Sequence, residues 1–159
     1  MDSMDSKASK RFALELKRFH ENPPEFVHKR VHVDPANLRN VYFLVQGPPD
    51  TPYVGGRYVV RLELAQDYPF SAPKIFMLTP NGRFLPDRSI CMDGITSHHP
   101  SSFSCILTFD SILASVVSFW CSSFEGEMGG MMTLASEKRR LAGLSCQFNK
   151  KRGFDAWFE

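Results

Sequence analysis

Hydrophobic and polar positions divide the chain into clearly different stretches. Over residues 7–21 the apolar Phe12, Ala13, Leu16 and Phe19 share one face at helical spacing. Asn22-Pro23-Pro24 ends that run, because a residue ahead of proline is pushed out of the helical region. Strand-like runs follow at 26–33, 41–46, 58–65 and 75–78. The third alternates cleanly, with Tyr58, Val60, Leu62 and Leu64 on one face and Val59, Arg61 and Glu63 on the other. The links at 34–37 and 47–50 are short and rich in Pro, Asn, Asp and Gly. They favour an antiparallel meander, since a parallel crossover needs about a dozen residues or more.

Residues 79–107 show neither period. Periodicity returns with Thr108 as a helix N-cap and Asp110 in the first turn; Phe109, Ile112, Leu113, Val116, Val117 and Trp120 then recur every three or four positions. That pattern predicts a buried helix. A Gly- and Met-rich loop over 126–132 leads to a helix from about 134 to 151, and Phe154, Trp157 and Phe158 predict a short final helix. A helix, a four-stranded antiparallel meander, a long irregular insert and C-terminal helices make an α+β fold. Residues 1–6 read as a flexible N-terminus and 7–159 as a single domain, for which 159 residues with 43% apolar content suffice.

Charge and cysteine content narrow the function. A net charge of +2 and a pI near 8.4 are too mild for a nucleic-acid-binding surface. The basic clusters at 7–18, 138–140 and 150–152 read first as solvated helix faces. Cys91, Cys105, Cys121 and Cys146 are irregularly spaced with no signal peptide ahead of them, so reduced thiols in an intracellular compartment are expected. The most apolar segment, 112–120, is broken by Ser115 and Ser118 and predicts no membrane span. Isolated glycine pairs, Gly55-Gly56 and Gly129-Gly130, do not make a nucleotide-binding loop.

An ordered irregular stretch of nearly thirty residues is usually functional. It holds Ser89-Ile90-Cys91-Met92-Asp93, ten residues beyond Thr79-Pro80-Asn81. Cysteine supplies a nucleophile, and asparagine can donate hydrogen bonds to a developing oxyanion without titrating. No base lies in the immediate stretch, which suits transfer of an acyl group already activated as a thioester. Other readings of the same residues are a zinc site from Cys91, His98, His99 and Cys105, a Cys–His hydrolase, and an inert buried thiol. The zinc spacing matches no usual pairing, and Cys–His hydrolases take their histidine from a distant segment.

Gly47-Pro48 with 51–56, Tyr68-Pro69-Phe70-Ser71-Ala72-Pro73, and Ser89-Ile90-Cys91-Met92-Asp93 together resemble the ubiquitin-conjugating enzymes, over about residues 10–157. The resemblance implies that family's fold and makes Cys91 the residue that carries ubiquitin as a thioester, for transfer to a substrate lysine or to a ligase. Asn81 becomes the candidate oxyanion donor, with a turn-holding role as its alternative. Glu127, Glu125 and Asp93 are candidates for assisting the incoming amine. Phe70 with Phe103, Ser104, Cys105 and Ile106 would face a ligase of the RING type, unless Phe70 is partly buried at the sheet edge. Lys10, Arg11 and Lys17 would face the ubiquitin-activating enzyme, which uses the ATP; no cofactor or metal is implied for this chain.

Departures from the family pattern are informative. Thr79-Pro80-Asn81 stands where His-Pro-Asn is usual, and the spacing from Asn81 to Cys91 is ten rather than eight. Phe103-Ser104-Cys105 replaces the usual Trp-Ser-Pro. Thr-Pro-Asn-Gly-Arg-Phe at 79–84 resembles the tail-anchored subfamily associated with degradation at the endoplasmic reticulum. A cytoplasmic location is expected, on the cytosolic face of that membrane if a C-terminal anchor follows. A catalytically silent binding module of the same fold is the alternative function.

Overall fold

The computed structural model describes residues 4–97, 103–122 and 134–159. Helix α1 spans Ser6–Glu21, and Asp5 caps it by accepting a 2.7 Å hydrogen bond from the Ala8 N–H. The strands are β1 (His32–Val33), β2 (Asn40–Gln46), β3 (Arg57–Glu63) and β4 (Lys74–Met77). They form one antiparallel sheet in the order β1-β2-β3-β4, with Phe43 opposite Val60 and Leu62 opposite Ile75. Helices α2 (Phe109–Trp120) and α3 (Ala135–Lys151) follow, then a 3-10 helix at Phe154–Trp157.

The predicted first strand is mostly absent from the ladder. Only His32 and Val33 pair with β2, and Val27 makes an isolated bridge to Val45. Between them the chain leaves the ladder: the His28 N–H still donates to the Leu44 carbonyl of β2 at 2.8 Å, but the Arg30 N–H turns back to His28 Nδ1 at 3.2 Å. On α1 the buried face runs through Ala8, Phe12, Glu15 and Phe19, while Ala13 is exposed. A carboxylate in the core face is invisible to a hydrophobic pattern.

Both faces of the sheet are covered. Tyr58, Val60 and Leu62 point into the main core with Val41, Phe43 and Val45. The apolar stripe of α2, including Ile112, Leu113, Val116 and Trp120, fills that core, and Trp120 lies against Tyr53 and Tyr58 at ring separations of 4.2 and 4.6 Å. On the opposite face Tyr42, Leu44 and Val59 meet Phe154 and Phe158. The turn between β2 and β3 closes at Gly47, where a Cβ would sit 1.7 Å from the Tyr53 carbonyl oxygen, so only glycine fits.

The C-terminal aromatics are held in part by histidines. His32 stacks on Trp157 with ring centroids 4.5 Å apart, and His28 meets Phe158 edge-on at 6.1 Å. Desolvation lowers the pKa of His32 below its ordinary 6.5 despite the opposing Asp34. Desolvation also lowers that of His28, helped by Arg57, Lys29 and Arg30. The unfolded chain therefore takes up protons that the folded one resists as pH falls through about 6.5. This stability is complete above the unfolded value and is lost on acidification toward the folded ones. The melting midpoint should fall between about pH 7 and 5, and the double variant His28→Gln/His32→Gln should show a shallower fall in thermal melts. An identical slope in the variant would mean that these rings do not couple to folding.

Candidate functional site

The site is built from residues that no ladder supports, so its shape is set by side chains bonded to main chain. Asn81 is fully buried, and its carboxamide is the centre of a turn. Oδ1 accepts from the N–H groups of Arg83 and Phe84, both at 2.8 Å. Nδ2 donates to the carbonyls of Thr79 at 3.0 Å and Phe84 at 3.3 Å. Gly82 supplies the positive φ of 83° that lets the chain fold back on this amide. Both amide donors are thus engaged within the loop, the arrangement expected of a turn-holding asparagine; an oxyanion could take one only by displacing a carbonyl.

Thr79 is likewise fully buried. Its hydroxyl accepts from the Val59 N–H at 3.0 Å and donates to Asn149 Oδ1 at 2.6 Å. Asn149 in turn donates to the Arg57 carbonyl at 2.9 Å. One hydroxyl therefore joins β3, the 79–84 turn and α3. Arg83 is also buried, its guanidinium 5.1 and 5.4 Å from the rings of Phe84 and Phe119. None of its side-chain nitrogens has a hydrogen-bond partner among the described residues.

Cys91 lies on an irregular segment pinned on each side. The Ile90 N–H donates to the Ile75 carbonyl at 2.8 Å, tying the segment to β4. The Met92 N–H donates at 3.1 Å to the hydroxyl of Thr96, a buried residue that bonds back to the Met92 carbonyl. Ile90 and Met92 are both in the core, so alternation along the segment leaves Cys91 partly exposed between them. Cys105, Cys121 and Cys146 are exposed, and desolvation at the end of α2 pushes the Cys121 thiol up, away from the thiolate form.

The other expected site residues lie on separate segments of the chain. Asp93 is exposed in the turn after Met92. Glu125 and Glu127 lie outside the described residues, as do His98 and His99, on which the zinc and hydrolase readings depend. Phe70 is 65% exposed and Ile106 78% exposed. Ser104 and Cys105 are exposed too, whereas Phe103 is partly buried. Lys10 and Lys17 project from α1, with Lys17 3.9 Å from Glu21.

Arg11 is tied down rather than presented to solvent. It donates to Glu15 at 2.9 Å and to the carbonyls of Cys105 and Leu107 at 2.9 and 3.1 Å. Glu15, buried, also accepts from Arg18 at 3.3 Å and from the Phe109 N–H at 3.4 Å. This cluster fastens α1 to the 103–107 segment and to the start of α2. Glu15, Thr79 and Thr96 are the site-shaping residues that sequence reasoning missed. The Arg11, Glu15, Arg18 spacing is a helical charge pattern, but nothing in it signals burial.

Sequence comparison bears on the same segments. The family model described as ubiquitin-conjugating enzyme matches residues 11–139. The chain belongs to the ubiquitin-conjugating enzyme family. It is 36% identical over 142 residues to "Ubiquitin-conjugating enzyme E2 6" of Candida glabrata, covering 89% of this chain and 56% of that protein. To "Ubiquitin-conjugating enzyme E2 J2-like" of Dictyostelium discoideum it is 37% identical over 141 residues, covering 89% and 81%. To "Ubiquitin-conjugating enzyme E2 J2" of Bos taurus it is 36% identical over 117 residues, covering 74% and 44%. The chain thus spans little more than half the length of the E2 6 protein. The E2 6 names agree with the subfamily resemblance at 79–84. Among the described residues no helix is long and apolar enough to cross a membrane.

The geometry of Asn81 yields a direct test. Asn81→Ala strands two buried N–H groups and two carbonyls, at a cost of about 2 kcal/mol or more. The melting midpoint should drop by about 4 °C or more. Discharge of a charged thioester to free lysine, measured well below the melt, should change less than about tenfold. An unchanged midpoint with discharge slowed about 100-fold would instead make Asn81 an oxyanion donor.

Proposed function

We propose that the chain is a thioester-carrying ubiquitin-conjugating enzyme with Cys91 as nucleophile. The observation that carries this reading is the placement of Cys91, partly exposed between two buried neighbours whose backbones are each anchored. A segment so fixed can hold an acyl carbonyl in one orientation while a second nucleophile approaches. The Cys91 thiolate attacks the thioester carbonyl presented by the activating enzyme; a new C–S bond forms, the old one breaks, and the released thiolate takes the proton. A substrate amine, or a ligase thiol, then attacks the Cys91 thioester and the C–S bond breaks. The attacking group loses a proton and Cys91 leaves as thiolate.

Because the thioester already stores the energy, the protein's task is orientation and charge placement rather than bond activation. Asp93, Glu125 and Glu127 are the acidic groups proposed to draw in the amine and take its proton. ATP is consumed by the activating enzyme, for which Lys10 and Lys17 form the proposed contact; Arg11 supports that surface from its fixed position. Phe70 and Ile106 are proposed as apolar anchors for a RING ligase, with Phe103, Ser104 and Cys105 beside Ile106 in sequence. The cytosolic face of the endoplasmic reticulum is the proposed location.

Cys91→Ser should turn a thiol-labile ubiquitin adduct into one that survives reducing agent, formed more slowly because the hydroxyl is a poorer nucleophile. The assay is incubation with activating enzyme, ubiquitin and ATP, read on reducing and non-reducing gels. Serine at 105, 121 or 146 should leave charging intact. A thioester formed without Cys91, or none formed by the unaltered chain, would sink the reading.

Phe70→Ala should leave charging and melting unchanged, because this side chain is largely in solvent. Ligase-stimulated discharge should weaken by about 2 kcal/mol of ligase binding. Parallel loss of both activities would show that Phe70 supports the fold instead.

A further inference from the structure

Away from Cys91, two adjoining depressions form one groove along α3. The first, about 290 Å³, is walled by Leu141, Leu144, Phe148 and Lys151 over Pro80. The second, about 430 Å³, continues past Pro80 and Phe148 to Pro86, Arg152 and Trp157. The α3 wall positions 141, 144, 148 and 151 recur at helical spacing, so the groove follows the helix for about 15 Å. Leu144 is 42% exposed. An apolar channel of this length, walled by one face of a helix, matches an amphipathic helix with anchors at similar spacing.

Charge selects the occupant. Lys151 and Arg152 stand on the α3 side, next to Lys150, and Arg61 is on the sheet side, where Glu63 lies 3.8 Å from it. Asp87 is the one acidic residue in the lining. Residues 134–159 hold six Lys or Arg and three Asp or Glu, whereas the rest of the chain holds thirteen and fourteen. The positive balance is therefore concentrated on this C-terminal stretch. We propose that the groove docks an acidic amphipathic helix of a partner protein, its leucine-like anchors between Pro80 and α3 and its carboxylates toward Lys151 and Arg152. The floor residue Pro80 adjoins Thr79 and Asn81, so the partner would sit directly behind the turn that leads to the active segment.

The probe is a 15-residue helical peptide with leucines at i, i+3, i+7 and i+10 and glutamates flanking them, titrated into the isotopically labelled protein. Amide shifts should map to 141–151 and to Trp157. Leu144→Glu and Lys151→Glu should each weaken binding about tenfold or more, with ubiquitin charging unchanged; the second variant alters only a surface charge and serves if the first folds poorly. The same peptide with lysines for glutamates should bind at least about tenfold more weakly. Equal binding of both peptides, shifts elsewhere, or indifference to both variants overturns the proposal. So does cosedimentation with phosphatidylserine vesicles without peptide binding, which would make the face a lipid surface. Concentration-dependent shifts of the same amides without peptide would assign the groove to a second copy of the chain and overturn it as well.

Discussion

Buried main-chain polar groups must be paired, and much of the chain around Asn81 and Cys91 lies outside any strand or helix that would pair them. That constraint governs the site. Asn81, Thr79 and Thr96 are short polar side chains placed inside, each completing hydrogen bonds that a ladder would otherwise make. Each one fixes a backbone position relative to something rigid: the 79–84 turn to itself, that turn to β3 and α3, Met92 to the turn after it. Replacing these residues by apolar ones of similar volume would preserve packing and lose register.

The hydrophobic core supplies the other half. Sheet and α2 bury a continuous apolar cluster, worth roughly 25 cal/mol for each Å² removed from water, but such burial is non-directional. It brings Ile90 and Met92 inside without deciding where the intervening sulfur lies to within an ångström. The Ile75 carbonyl and the Thr96 hydroxyl make that decision. Around α1 the division recurs: Phe12 and Phe19 provide burial, while Glu15 and Arg11 tie the helix to the 103–107 segment and to the first turn of α2.

This division explains what could be read from the sequence. Elements held by apolar periodicity were legible: α2 with its Thr108 cap, the alternation of β3, and the aromatic C-terminal turn. The first strand was not, because Val27, Val31 and Val33 supply the composition of a strand while the Arg30 N–H turns back to the His28 side chain instead of to β2. Ala13 was assigned to a buried face that Glu15 occupies, since the ion cluster satisfying the carboxylate includes backbone from residues 107 and 109. The family was readable from local motifs, among them the segment that holds Cys91. The roles of Thr96 and Asn149 were not, because a threonine in a turn and an asparagine in a helix become specific only when their partners are known.

Thr79 shows the limit of motif comparison most clearly. It stands where the family resemblance leads one to expect histidine, which by sequence reads as a loss. Its hydroxyl nevertheless bridges the Val59 amide and Asn149, seventy residues away. A β-branched side chain has few rotamers to give up, so this small group can be held in one orientation at little entropic cost. The architecture behind Pro80 and Asn81 is therefore carried by a pair of residues, one in the motif and one on α3. Pro80 and Phe148, which line the groove along α3, adjoin that pair in sequence, so a helix seated there would press on the element that holds the 79–84 turn in place.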